Sequence, residues 1–194
     1  MDNNDLKKFF HGVYDFLPCE NGYMSFSRYS KEQREYLKFN DFFYIRTTFD
    51  GSITLEFTTN ATKFGFEYKI LGVSSKDTFD LYVNGNLFTQ NKVAELSEEG
   101  SLEYSLKSGE KKVILYFPID ADIAIKNFYS DADMFVVEKG EKVLFIGDSI
   151  TQGYGTFETG QTFVNVANRI LNYEILNQGI GGYYFDKNSL CQTK

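Results

Sequence analysis

The chain has 194 residues, 42% of them hydrophobic, which is enough for one large domain or two small ones and excludes a disordered chain. A net charge of −7 with no Lys/Arg stripe argues against a nucleic-acid partner, and no run of about 18 apolar residues is present to span a membrane. Twenty Phe and fourteen Tyr against two Pro favour strands.

The opening residues, Met1 to Phe10, carry acids where a secretion signal carries bases, and they lack an apolar stretch. A cytoplasmic location is therefore expected. Ser30 to Tyr36 predicts a helical turn or more, with Ser30 as N-cap. Phe42 to Phe49 reads as a strand. From Gly51 to Val137 the pattern has period two. Ile53, Leu55 and Phe57 alternate with Ser52, Thr54 and Glu56, and Phe64, Phe66, Tyr68 and Ile70 alternate with polar residues or Gly. Such stretches predict half-buried strands with one wet face. Phe79, Leu81 and Val83 continue the pattern, and Asn84-Gly85 supplies the two positive-φ residues of a hairpin turn. Further strands are expected at 102–106, 111–117, 123–128 and 134–137. Turn signals roughly every ten residues indicate an antiparallel β-sandwich, jelly-roll-like.

At Glu138 to Lys142 the pattern changes. Val143-Leu144-Phe145-Ile146 is apolar without alternation, which predicts a strand buried on both faces, as in a parallel sheet. Thr162 to Leu171 predicts a helix with Phe163, Val166, Ala167 and Ile170 on one apolar face. Tyr173 to Leu176 predicts a second strand. Strand, helix, strand is a βαβ unit. The expected division is a β-sandwich domain at 1–138 and the start of an α/β domain at 139–194.

Gly147-Asp148-Ser149 follows the first parallel strand, at the sheet edge where open α/β folds bind ligands. Gly147 permits a tight turn that lifts Ser149 out of the sheet. A serine hydroxyl needs a base in hydrogen-bond reach, and a developing oxyanion needs preorganised donors worth about 3 kcal/mol each. The second strand ends in Asn177-Gln178-Gly179-Ile180-Gly181-Gly182, whose glycines let a backbone N–H approach a reacting carbonyl.

Residues 143–153 resemble the first conserved block of the SGNH (GDSL-type) serine hydrolases, and Asn177 to Gly182 resembles the second. The resemblance implies that Ser149 is the nucleophile. The N–H groups of Ser149 and Gly182 would form two arms of the oxyanion hole. Gly147, Asp148 and Asn177 would support the turn. Residues before 139 resemble the N-terminal β-sandwich of bacterial two-domain members, and Phe79 to Gly85 is similar to a motif in those sandwiches. Such members include family-two carbohydrate esterases and related acetylesterases.

The sequence departs from that pattern in two places. The family's later Gly-x-Asn-Asp block, source of a third oxyanion donor, has no counterpart, nor does the Asp-x-x-His block that supplies the base. The family's α/β domain has about five parallel strands, whereas residues 139–194 supply two, and so small a parallel pair leaves faces and edges uncovered. The expectation is the amino-terminal part of a longer esterase, inactive alone, acting on an O-acetylated sugar or oligosaccharide. The rivals are a carbohydrate-binding sandwich, a sandwich that only shields the catalytic unit, and a fatty-acyl esterase or thioesterase.

His11 is the sole histidine, and a surface or interdomain role is expected for it. Cys19 and Cys191 are too few and too far apart for a disulfide framework, and no His/Cys cluster suggests zinc. No cofactor or metal is expected. Asp120-Ala-Asp122 and Asp131-Ala-Asp133 lack EF-hand spacing and are expected to be solvated turns. Asn60-Ala61-Thr62 matches a glycosylation sequon by chance.

Overall fold

The computed structural model describes residues 3–74 and 77–190. Cys191 lies outside the described residues. The chain opens with α1 (Asn3–Lys7) and the strands β1 (Phe10–His11), β2 (Asp15–Pro18) and β3 (Met24–Ser27). Two short helices follow, α2 (Lys31–Leu37) and α3 (Asp41–Arg46). Then come β4 (Thr54–Thr59), β5 (Lys63–Val73), β6 (Thr78–Val83) and β7 (Asn86–Lys92). They are followed by β8 (Glu99–Ser105), β9 (Lys111–Tyr116), β10 (Ala121–Ser130) and β11 (Met134–Val136). The last part holds β12 (Lys142–Gly147), α4 (Ser149–Gln152), α5 (Phe163–Leu171), β13 (Glu174–Gly179) and α6 (Lys187–Leu190).

Two antiparallel sheets are built from the first eleven strands. One has the order β1-β4-β9-β6-β7 with β11 also on β4, and the other has the order β2-β3-β10-β5-β8. Their apolar faces share one core, in which Phe57 meets Phe9, Phe64 and Phe128, and Phe117 meets Phe10, Phe26, Phe66 and Phe79. The β6–β7 turn has φ of 51° at Asn84 and 80° at Gly85, as a two-residue hairpin with right-handed strand twist requires.

The period-two pattern hides one exception. Thr54 and Glu56 on β4, expected to face water, are fully buried. Lys139 Nζ lies 2.7 Å from Glu56 Oε1, with its own side chain only 5% exposed. The charged stretch at 138–142 is mostly exposed, but Lys139 turns inward. It packs against the outer face of the first sheet, because an ionised buried glutamate needs a partner there.

Two further expectations are corrected. Residues 41–46 form the helix α3, not a strand, because Asn40 accepts the Phe42 N–H on its side chain at 2.9 Å and so starts a helix within an aromatic run. The helix α2 does begin at Ser30, with a full capping box to Gln33. The turn at Asp120 is not solvated. Asp120 is buried, its N–H donates to Asp77, and its carboxylate accepts from Gln152. Asp131 and Asp133 are exposed, and Asp131 accepts the N–H groups of Thr62 and Lys63.

β12 and β13 pair in parallel, with Lys142 beside Glu174 and Gly147 beside Gly179. α5 lies between them in sequence. β12 is not buried on both faces, since Leu144 and Ile146 are 45% and 41% exposed. The two ends of the apolar stripe of α5 also turn outward, with Phe163 49% and Ile170 73% exposed, while Val166 and Ala167 are half-buried. The face that is buried holds Val164, Asn165 and Asn168. It meets a polar partner: Arg169 donates to Tyr116 Oη at 3.1 Å and stacks on the Tyr82 ring.

Candidate functional site

The parallel register brings the ends of β12 and β13 side by side, and the Ile180 N–H donates to Gly147 O at 3.0 Å. Asp148 is the N-cap of α4 and accepts the Ile150 N–H at 3.0 Å. This geometry lets the chain turn directly from strand into helix at Ser149. Close approach explains the glycines at both strand ends. A methyl group on Gly147 would lie 2.1 Å from Thr151 Oγ1, and one on Gly179 would lie 2.3 Å from Gln152 N.

Ser149 is half-exposed at the carboxyl end of β12. Among the described residues, neither its hydroxyl nor its N–H has a protein partner. Gly181 lies against it, since a methyl group on Gly181 would sit 3.7 Å from Ser149 Cβ. The Gly181 N–H is taken by Gln152 Oε1 at 2.6 Å, and Gln152 in turn donates to Asp120. The next residue, Gly182, is exposed at φ 75°, and its N–H also lacks a protein acceptor among the described residues. Two open backbone donors and an open serine hydroxyl therefore belong to the adjoining turns at the ends of β12 and β13.

The loop that carries them is held from below. Asn177 is fully buried. Its amide donates to Ser52 Oγ at 3.0 Å and Thr151 O at 2.8 Å, and it accepts the Gly179 N–H at 2.9 Å. Arg28, also fully buried, donates to Asn177 O at 2.5 Å, Gly179 O at 3.3 Å, Phe49 O at 2.8 Å and Arg46 O at 3.2 Å. One guanidinium thus ties the end of β13 to α3 and the first sheet region through backbone carbonyls. Gln33 and Gln178 exchange amide hydrogen bonds beside it, and Gln178 also donates to Arg28 O.

A second wall comes from α3. Phe43 packs edge-on to Tyr183 at 4.8 Å, within a small cluster with Tyr29, Leu37 and Ile180. This seats Phe42 over Gly182, where a methyl group would meet its ring at 3.3 Å. Arg46, one turn on, donates to Phe42 O at 2.9 Å and lies over the Phe42 ring at 3.5 Å.

His11 is not part of this site. Its Nδ1 lies 2.5 Å from Glu174 Oε2, at the amino end of β13. Ser149 belongs to the other end, five residue steps away, which is about 17 Å along a strand. His11 instead joins β1 to β13 through Glu174. Burial works to raise the Glu174 pKa, but the His11 contact and the Gly12 N–H outweigh it and leave it below the usual carboxylate range.

The structure thus brings Ser149, Gly147, Asp148, Asn177 and the Gly181-Gly182 turn together at one sheet edge. Sequence reasoning missed Arg28, Arg46, Phe42, Gln152 and Asp120. Gln152 had a visible signal, since it stands in the first turn after Ser149. Arg28 and Arg46 had none, because each acts at a distance in sequence of more than 130 residues from the loop it meets.

No family model matches the chain, and no curated protein matches it. Solved structures do. A salicylyl-acyltransferase from a tetracycline biosynthetic pathway, SsfX3, superposes with a TM-score of 0.71 at 19% identity, covering 88% of this chain and 50% of that one. A GDSL-like lipase from Bacteroides ovatus gives 0.68 at 18% identity, covering 90% and 54%. A family-two carbohydrate esterase from Clostridium thermocellum, solved with cellohexaose, gives 0.56 at 19%, covering 69% and 46%. The chain spans about half the length of the solved structures it matches. At these identities the likeness is one of fold, and it is the fold of GDSL-like and family-two esterase structures.

Proposed function

We propose that this chain carries the nucleophile and part of the oxyanion hole of a serine esterase of the SGNH type, built as a β-sandwich domain (residues 1–138) and the start of an α/β hydrolase domain (residues 139–194). The observation that carries the reading is the pairing of an unpartnered Ser149 hydroxyl with two open N–H groups, at Ser149 and Gly182, at one sheet edge. Attack by Ser149 on an ester carbonyl forms an acyl-enzyme, the two N–H groups hold the oxyanion, and water releases the acid. Asp148 braces the turn and does not react.

The substrate class is an acyl ester of carbohydrate, foremost an O-acetyl group. The fold neighbours among the carbohydrate esterases, one of them holding cellohexaose, support this choice. The base that activates Ser149 comes from outside these residues, because the sequence has one histidine and that residue sits at the far end of β13. Residues 1–194 alone should therefore turn over 4-nitrophenyl acetate at near-background rate. A longer version of the gene product should turn it over in a way that Ser149→Ala abolishes. Turnover by the longer protein that survives Ser149→Ala would overturn the assignment.

A further inference from the structure

α3 brings the Arg46 guanidinium over the Ser149 turn. Its Nε and Ser149 Cβ both lie within 3.7 Å of the point where a methyl group on Gly181 would sit. Its plane is fixed by stacking on Phe42 at 3.5 Å, and one of its N–H groups is used by Phe42 O. A guanidinium has five donors in a fixed fork. Among the described residues no carboxylate pairs with Arg46, and no other protein acceptor takes its remaining donors. Asp148, the acid of the turn itself, is engaged with the Ile150 N–H. Asp41, the acid on the same helix, stands five residues before Arg46, at the first turn. The buried Arg28 below is satisfied by backbone carbonyls, so it does not compete for an anion at this surface.

A cation that is oriented by an aromatic ring, left without a carboxylate and placed beside a nucleophile fits a carboxylate on the substrate. We propose that Arg46 is a specificity-determining residue. It pairs with a carboxylate close to the scissile ester, so that the substrate is an O-acylated acidic sugar such as a uronic acid. This rests on the esterase reading. The planar fork binds a carboxylate through two parallel hydrogen bonds, which an ammonium does not reproduce.

The test is a binding measurement on the 194-residue chain, which needs no turnover. Two probes are titrated by ligand-observed NMR, a methyl glucuronoside carrying one O-acetyl group and the matching neutral methyl glucoside. The acidic probe should bind about tenfold more tightly at low salt, with the preference shrinking as ionic strength rises. Arg46→Gln should erase the preference, and Arg46→Lys should restore part of it. Lys31→Gln, which removes the same charge on the exposed face of α2, should leave the preference intact. Equal binding of the two probes, a preference that survives Arg46→Gln, or no binding of either probe overturns the proposal. The esterase reading is judged separately, by Ser149-dependent turnover of the neutral 4-nitrophenyl acetate, and stands or falls without Arg46.

Discussion

The two-sheet region and the β12–α5–β13 unit use their apolar residues in opposite ways. In the first, Phe57, Phe64, Phe79, Phe117 and their neighbours are sealed between sheets. In the second, Val164, Ile175 and Ile180 are the buried hydrophobics, while Leu144, Ile146, Ile150, Phe163, Ile170 and Phe185 are exposed. The second unit also buries the polar side chains of Gln152, Asn165, Asn168, Asn177 and Gln178. It is therefore attached to the first region largely by hydrogen bonds and ion pairs, such as Asn177 to Ser52 and Lys139 to Glu56, and the Ser149 turn lies at that seam. Hydrogen bonds contribute modestly when made and cost heavily when half-broken. The seam is thus specific in geometry more than strong in area.

The sharpest way to break this contrast is a matched pair of truncations. Phe117→Ala removes a fully buried ring that touches four others and should cost about 3–5 kcal/mol. Ile170→Ser removes a side chain that is 73% exposed and should change stability by less than about 0.5 kcal/mol. Urea unfolding of both variants measures the difference. Equal costs would mean that the α5 stripe is covered in solution.

The next effect tests the seam itself. Arg28→Met keeps the length of the side chain but leaves the carbonyls of Phe49, Asn177 and Arg46 without their donor, at a cost of about 2–4 kcal/mol. The loss should be local. Amide exchange should speed up most at 177–182, while the β4–β9 ladder stays protected. Uniform acceleration across both regions would show that the two unfold as one unit.

These contrasts explain what the sequence could and could not disclose. The strands of the first region are legible because alternation reports a core on one side and water on the other, as at Phe64, Phe66 and Tyr68. Glu56 defeats that logic, since a second unit covers its face with Lys139, a residue more than 80 positions away. The α5 helix is legible as a helix but not as to which side faces in. Its apolar stripe predicts the buried face only where the partner is apolar, and here the partner is Tyr82, Tyr116 and Lys139. At the site, Gly147, Ser149 and Gly181-Gly182 are legible because glycines at strand ends mark close backbone approach. Phe42 and Arg46 are not, because Asn40 converts an aromatic stretch of strand composition into a helix, and only the folded chain carries that helix to Gly182.

The smallest effect concerns two acids of the first region that lie close to the seam. Asp50 is fully buried, accepts the Ile123 N–H at 3.0 Å, and has one carboxylate oxygen without a partner among the described residues. Burial pushes its pKa well above the usual range, the charge of Asp122 adds to the rise, and Arg28 opposes it. Asp122, half-buried, is itself pushed up to about 6 by burial. An acid with a raised folded pKa prefers to stay protonated in the fold. Its penalty is absent below the unfolded value of 3.8 and complete above about 6, so stability falls as pH rises through that window. The rise to about 6 corresponds to at most about 3 kcal/mol, and solvent at this half-buried position reduces it to about 1–2 kcal/mol. Asp122→Asn keeps the shape and removes the charge. It should raise Tm at neutral pH, and the gain should vanish as pH falls below 3.8. A gain that persists at low pH would place its origin in packing, and a loss at neutral pH would mean that the Asp122 carboxylate is needed, ionised, by a partner in the folded chain.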